Sequence, residues 1–100
     1  PRPSAAFRYY DWPPICLNAA ARMAGLAVPQ GLAVVGFDDI PFAALTYPPL
    51  TTVAQPKHEM GRRAVERALA LLSGDATQPD HLSLQGQLIV RESCCYPRQC

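Results

Sequence analysis

The chain has 100 residues and carries nine Lys and Arg against eight Asp and Glu, a formal net charge of +1. That length allows one small domain at most, and an apolar fraction of 49% is sufficient for a core. Near-neutral charge without basic runs argues against a nucleic-acid-binding face, and the lack of a long apolar stretch or signal-like start predicts a soluble, cytoplasmic protein without membrane partners.

The first part of the chain has the pattern of a strand followed by a helix. Residues 5–10 include aromatic side chains, and no Gly or Pro interrupts them, which predicts a strand. Asp11 stands at the N-cap position, and the helix is expected to begin at Pro14 because a residue before proline avoids the α conformation. The helix should continue to Ala24, and Gly25 should end it as the C′ residue.

A short apolar run over residues 32–37 ends in an adjacent pair of carboxylates, Asp38 and Asp39. A run of this length between turn residues is typical of a strand buried on both faces, as in a parallel sheet. In a strand–helix–strand unit the two strands run parallel through a right-handed crossover, so both end at one edge of the sheet. Open α/β sheets bind ligands at that edge, and we expect Tyr10 and Asp11 to lie there beside the carboxylate pair.

A proline-rich loop and two short β-type runs are predicted in the rest of the chain. Residues 40–49 contain three prolines, allow one helical turn over residues 42–45, and carry apolar side chains that would pack on the domain or meet a partner chain. Residues 50–53 form one β-type run. Residues 82–84 and 87–91 are expected to form a single strand, interrupted by a glycine.

The longest predicted helix begins at Pro56 and ends at Gly74. Its apolar residues recur at helical spacing and would form one stripe: Met60, Ala64, Val65, Ala68, Leu69 and Leu72. Opposite charges four residues apart predict ion pairs on the solvated face rather than a DNA contact. These pairs are Glu59 with Arg63 and Arg62 with Glu66.

The four cysteines do not have the spacing of a metal site. No Cys-x-x-Cys pair is present, and neither His58 nor His81 lies at a ligand-like distance from another ligand, so we expect no metal. Cys94, Cys95 and Cys100 crowd into the end of the chain, whereas a secreted disulfide scaffold would spread its cysteines. This crowding favours a frayed tail with reducible thiols.

With these elements in place, the chain resembles the carboxyl-terminal part of a LacI/GalR-family transcriptional regulator. The order and spacing of its motifs fit that family from about Pro3 to Ser93. The motifs that carry the resemblance are Gly25-Leu26-Ala27-Val28-Pro29, Val34-Val35-Gly36-Phe37-Asp38-Asp39, Pro48-Pro49-Leu50-Thr51-Thr52-Val53, Gln55-Pro56, Met60-Gly61 and Val90-Arg91-Glu92-Ser93.

The resemblance implies an α/β, three-layer parallel-sheet fragment of a periplasmic-binding-protein-like type I fold. In that fold two lobes are joined by three crossover segments and bind an effector in the cleft. Residues 1–54 would form mainly one lobe, residues 55–84 a piece of the other, and residues 85–93 the return crossing, with a tail at 94–100. The amino-terminal domain that binds operator DNA would be absent from this chain.

The resemblance also assigns roles to individual residues. The first aspartate after the Gly–aromatic pair contacts the effector, often a sugar hydroxyl, and that position is Asp38. A carboxylate suits this role because it accepts hydrogen bonds from two hydroxyls at once. Gln55 would belong to the cleft network. Tyr10-Asp11 stands where the family strand usually ends in Asn-Asp, so Tyr10 and Asp11 are also expected to bind the effector. The homodimer interface that the family implies would include Ile15, Ala19, Phe42, Leu45 and Tyr47.

The residues alone leave two other interpretations of the carboxylate pair open. Aspartates are favoured in a turn after a strand, with no ligand involved. Alternatively, Asp38, Asp39 and Asp11 would hold Mg²⁺ for a hydrolase or phosphotransferase. Because no glycine-rich phosphate loop, Walker lysine or nucleophile elbow accompanies them, we predict a repressor-type regulator without catalytic residues or cofactor.

Overall fold

The computed structural model describes residues 2–75 and 81–94. The chain forms two compact units, one made of Pro1–Ala54 with Gln87–Cys100 and the other of Gln55–Gly86. No helix within the described ranges is both long and apolar enough to cross a membrane.

The first unit contains the predicted strand–helix–strand arrangement. Strand β1 (Ala5–Phe7) pairs in parallel with strand β2 (Ala33–Val35), and helix α1 (Trp12–Met23) connects them. The predicted parallel pairing is therefore confirmed. Both strands are shorter than the predicted ranges 5–10 and 32–37, because the backbone bonds between them end at the one from Arg8 N–H to Val35 O at 3.2 Å.

Helix α1 begins at Trp12, and the predicted start at Pro14 is wrong. The first turn accommodates both prolines because N–H groups at the start of a helix have no helical acceptor. The first backbone bond of the helix runs from Ile15 N–H to Asp11 O at 3.0 Å. Asp11 is at the N-cap position, but its backbone is helical and its side chain makes no capping bond. The predicted N-cap position is therefore confirmed, whereas the side-chain capping bond, which an extended backbone at this residue would favour, is not formed.

The carboxyl end of α1 agrees with the prediction. Gly25 has a left-handed φ of 75°, and its N–H donates to Arg22 O at 3.1 Å. Leu26 N–H donates to Ala21 O at 2.8 Å, which completes a Schellman motif. Glycine suits this position because it lacks the Cβ that opposes positive φ.

The core of the first unit lies between β2 and the loop that follows it. That loop contains a short 3₁₀ helix, Pro41–Ala44, close to the predicted helical turn at 42–45. The buried residues of this core are Leu32, Val34, Ala43 and Leu50, and the partly buried Ile15, Leu17, Leu26 and Val28 pack against them. Val34 has no exposed surface, as expected of a strand covered on both faces.

Strand β3 (Thr52–Ala54) pairs with strand β4 (Gln87–Ile89) in antiparallel register. A parallel bridge between Val35 and Thr51 continues the sheet from β2 towards β3. Residues 82–84 form no strand, so the predicted interrupted strand is wrong except at β4. The strand predicted over residues 50–53 is displaced to 52–54. Leu50 is buried in the core, and Thr51 forms the isolated bridge with Val35.

Ser93 joins β2 to the start of β3 from a distant point in the sequence. Its hydroxyl donates to Val34 O at 2.5 Å and accepts a bond from Thr51 N–H at 2.8 Å, and the residue is fully buried. The next residue, Cys94, is half-buried with its Sγ 3.3 Å from Thr51 Oγ1, rather than part of a frayed tail. Cys95 and Cys100 lie outside the described residues.

The second unit consists mainly of helix α2 (Lys57–Leu72), which follows Pro56 as predicted. Gly74, at φ 80°, and the bond from Asp75 N–H to Ala70 O at 3.0 Å end it. Both predicted ion pairs form, at 2.8 Å for Glu59–Arg63 and 2.5 Å for Arg62–Glu66. The apolar stripe is not buried, since no α2 residue is buried and Leu69 is 60% exposed.

Candidate functional site

The turn after β2 presents the carboxylate pair at the carboxyl edge of the parallel strands. Asp38 has a φ of 118° and Asp39 a φ of 51°, both in the region that side chains disfavour. Such a conformation costs about 1–3 kcal/mol per residue and is found mostly where function requires it. The Asp38 N–H donates to Val53 O at 2.8 Å, so β3 holds the start of this turn, and Asp38 itself is half-buried.

The Asp11 carboxylate lies beneath this turn and is completely buried. Its Oδ2 accepts a hydrogen bond from Ile40 N–H at 2.8 Å, and its Oδ1 accepts one from the Thr52 hydroxyl at 2.7 Å. Asp11 lies at this edge of the sheet, as the strand–helix–strand pattern predicted. However, both of its oxygens contact protein donors, where the sequence led us to expect an effector contact.

Gly36 makes room for the Asp11 carboxylate. A Cβ at position 36 would lie 2.2 Å from Asp11 Oδ1 and 3.0 Å from Leu50 Cδ2, and the first distance is far inside van der Waals contact. The glycine between the buried strand and the carboxylate pair is therefore required by packing at this site.

Asp39 forms an ion pair with Arg91, a residue to which the sequence assigned no partner. Arg91 Nη2 lies 2.8 Å from Asp39 Oδ1, and both side chains are largely buried. The same guanidinium donates to Leu50 O at 2.9 Å, and the Arg91 N–H donates to Thr51 Oγ1 at 2.9 Å. Arg91 belongs to one of the motifs that carry the family resemblance, but no local pattern could specify a partner 52 positions earlier in the chain.

The other two predicted effector residues differ in where they lie. Tyr10 is next to Asp11 at the sheet edge and is 41% exposed. Gln55 is half-buried and belongs to the second unit. Their contact with an effector remains a prediction.

Exposed apolar side chains cover the face formed by α1 and the loop after β2. Phe42, Leu45 and Tyr47 are all more than half exposed, Ala19 is exposed, and Ile15 packs partly on the core. The rings of Trp12 and Phe42 contact each other with centroids 5.4 Å apart. The Arg22 guanidinium lies 5.6 Å from the Tyr47 ring centroid. Large exposed apolar residues grouped in this way are typical of an interaction surface.

The carboxylates do not form a metal site. Among residues 2–75 and 81–94 no three His, Cys, Asp or Glu side chains are grouped closely enough to hold an ion. Asp11 and Asp39, two of the three ligands that a magnesium enzyme would need here, are bonded to Thr52 and Arg91 instead.

Comparison with known proteins places this site in a family context. The profile of the family described as "periplasmic binding protein-like domain" matches residues 1–94. The chain is 44% identical over 69 residues to the HTH-type transcriptional regulator KdgR of Bacillus subtilis, covering 69% of this chain and 20% of KdgR. It is 38% identical over 92 residues to the ribose operon repressor of Escherichia coli K12, covering 92% of this chain and 28% of that repressor.

Solved structures agree with this assignment. A complex of the transcriptional regulator CelR with cellobiose matches with a TM-score of 0.85 and 37% identity, over 90% of this chain and 28% of that one. The lac repressor dimer bound to operator and the anti-inducer ONPF matches with a TM-score of 0.85 and 31% identity, over 94% of this chain and 32% of that one. The chain thus spans less than a third of each of these proteins. It belongs to the periplasmic binding protein-like domain family and matches part of the effector-binding domain of LacI/GalR-type transcriptional regulators.

Proposed function

We propose that this chain is a ligand-sensing and dimerising portion of a LacI-type transcriptional regulator. It would bind a small effector, such as a sugar, and act in the cytoplasm, while another domain of the regulator contacts operator DNA. The observation that carries the proposal is the half-buried carboxylate of Asp38, held in a left-handed turn at the sheet edge where α/β proteins bind ligands.

The chemistry of Asp38 supports a polyhydroxyl ligand. A carboxylate accepts hydrogen bonds only, so it selects ligands that offer hydroxyl or amino donors. The CelR structure is described as a cellobiose complex, and a related repressor is named for the ribose operon. Tyr10 and Gln55 would complete the contacts, with Tyr10 supplying a ring face and a hydroxyl in place of the family amide.

Effector binding would act by shifting a two-state equilibrium. A ligand that binds a closed arrangement of the two lobes more tightly than an open one favours the closed state, by no more than its difference in affinity. That change would reach the DNA-binding domains through the dimer interface. The regulator therefore needs both an effector site and a pairing surface.

Isothermal titration calorimetry with cellobiose, sucrose and ribose tests the effector site. We expect at least one of these sugars to bind, and Asp38→Ala to raise its Kd about 10- to 100-fold, because a charge-assisted hydrogen bond contributes about 1.5–3 kcal/mol. The matched control is Asp75→Ala, which removes an exposed aspartate from the second unit and should leave Kd unchanged. Absence of binding by all three sugars, or equal effects of the two variants, would contradict the proposal.

Light scattering over a range of concentrations tests the pairing surface. We expect a dimer, and we expect Leu45→Lys to convert it to a monomer, because an uncompensated charge would be buried at the interface. Leu45 is 76% exposed in the single chain, so the substitution should not disturb its fold. Leu71→Lys, at an exposed position on α2, is the control. A monomeric parent chain, or a dimer that persists in Leu45→Lys, would exclude this surface.

A further inference from the structure

We propose that Asp11 is a positioning residue for the effector site, which holds the turn at residues 37–40 in the conformation that presents Asp38. The inference rests on the proposed effector role of Asp38, but its central part concerns the turn and can be tested without a ligand. The resemblance placed Asp11 among the effector-contacting residues. The geometry gives it a different role.

The burial of Asp11 excludes direct contact with an effector in this conformation. Its exposed surface is zero, and each carboxylate oxygen has a protein donor at short distance, Ile40 N–H at 2.8 Å and the Thr52 hydroxyl at 2.7 Å. A carboxylate buried in this way is retained in a fold only when such donors compensate for its lost hydration. Its hydrogen-bonding capacity is therefore directed at the backbone of the turn.

Asp11 connects three separate parts of the first unit. It precedes α1, its Oδ1 occupies the space that a Cβ of Gly36 would fill at the end of β2, and it accepts the hydroxyl bond of Thr52 at the start of β3. Asp11 holds these elements together through two hydrogen bonds, one with Ile40, 29 positions later in the chain, and one with Thr52, 41 positions later. The turn is thereby fixed relative to both strands that flank it.

The turn requires this support because its backbone is unfavourable. Asp38 and Asp39 both have positive φ, and the β3 backbone bonds only to the Asp38 N–H. The second half of the turn is held by side chains. Ile40 N–H donates to Asp11, and Asp39 N–H donates to the Thr52 hydroxyl at 3.3 Å. Without Asp11 the turn would keep its attachment to β3 and the Asp39–Arg91 ion pair. It would lose the acceptor of the Ile40 N–H and the group that holds the Thr52 hydroxyl in place.

The Thr52 hydroxyl connects the Asp11 carboxylate to the turn. It donates to Asp11 Oδ1 and accepts from Asp39 N–H, so one group links the buried carboxylate to the turn. Thr52→Val keeps the side-chain shape but removes the hydroxyl. Thr52→Ser keeps the hydroxyl and should therefore retain the function.

Amide hydrogen exchange measured by NMR tests the positioning role in the absence of ligand. We expect Asp11→Ala and Thr52→Val to accelerate exchange at Asp39 and Ile40 by about tenfold or more. The amides of Val34 and Gly36, which donate to the backbone oxygens of Ser93 and Thr51, should stay within about twofold. Asp11→Asn, which preserves the shape, is the second variant in case Asp11→Ala does not fold. Thr46→Val removes a hydroxyl bonded to Ala43 O and Pro48 O, away from the turn, and is the control.

Cellobiose binding tests the consequence for the site. We expect Thr52→Val and Asp11→Asn to raise the Kd for cellobiose, and Thr52→Ser to keep the Kd of the parent chain. When either harmful substitution is combined with Asp38→Asn, the loss of binding free energy should not exceed that of Asp38→Asn alone, because both residues act through Asp38. A residue that only stabilised the fold would lower affinity in proportion to the unfolded fraction, and its effect would add to that of Asp38→Asn.

The two measurements separate failure of this inference from failure of the proposed function. Unchanged or uniformly faster exchange in the Asp11 and Thr52 variants would overturn the positioning role, whatever binds. Fully additive losses of cellobiose affinity would overturn it as well. Localised exchange together with no binding of cellobiose by the parent chain would support the role of Asp11 in the turn and count against cellobiose as the effector.

Discussion

A methyl group at position 36 cannot coexist with the Asp11 carboxylate in its present place. Because the Cβ would lie 2.2 Å from Asp11 Oδ1, Gly36→Ala must displace the carboxylate from its two donors. We expect this variant to lose about 1–3 kcal/mol of unfolding free energy, as overpacked sites do. In an Asp11→Ala background the same substitution should cost much less, since Leu50 Cδ2, at 3.0 Å, is then the one remaining close neighbour among those of the added methyl group.

Urea unfolding followed by the fluorescence of Trp12, the single tryptophan, measures this difference. Equal costs of Gly36→Ala in both backgrounds would mean that the Asp11 carboxylate does not occupy this position in solution. The comparison uses each background as the reference for the other, so the cost of losing Asp11 itself cancels.

At the scale of elements, helix α2 carries its charges where the sequence predicted them, and they make it sensitive to acid. A hydrogen bond from Arg62, and to a smaller extent one from Arg63, lowers the pKa of Glu59 from an ordinary value of 4.5 to about 2. A lowered pKa means that folding favours the charged form. The contribution of these pairs to helix stability is therefore complete above pH 4.5 and is lost as the pH falls towards 2.

Circular dichroism at 222 nm in low salt should show a loss of helix across this pH window. The loss should be smaller in Glu59→Gln, which has no carboxylate to protonate, and smaller in high salt, which screens exposed pairs. The carboxyl resonance of Glu59 reports its pKa directly. A midpoint near 4.5 would show that the ion pairs do not persist in solution.

Element type could be predicted from local patterns in this chain, whereas the contacts that build the site could not. Aromatic residues, a short apolar run between turn residues, helical spacing, prolines and Gly25 identified β1, α1, β2 and α2, and the strand–helix–strand rule predicted the parallel pairing. The predicted strands were too long, because residues with high β propensity continue beyond the last hydrogen bond between the paired strands. The N-cap position of Asp11 could be predicted, but its side-chain partners, Ile40 and Thr52, could not, because they are 29 and 41 positions away. Ser93 reaches Val34 across 59 positions, and no local pattern encodes such a separation.

At the scale of the whole molecule, the two units differ in how their apolar residues are placed. The first unit buries a small core with Leu50 fully enclosed, whereas the α2 stripe of the second unit is exposed along its length. An isolated 16-residue helix is marginally stable in water, since helices in proteins depend on packing of their apolar face. Stability in this chain should therefore reside in the first unit.

A matched pair of leucine substitutions tests that distribution. Leu50→Ala should cost about 2–5 kcal/mol because it empties an enclosed position. Leu69→Ala, at a position that is 60% exposed, should change the unfolding free energy by no more than about 0.5 kcal/mol, and alanine is also the better helix former. A large cost at Leu69 would mean that the stripe is covered in solution. If that cost grew with protein concentration, the cover would be a second copy of the chain, because only an association responds to concentration by mass action.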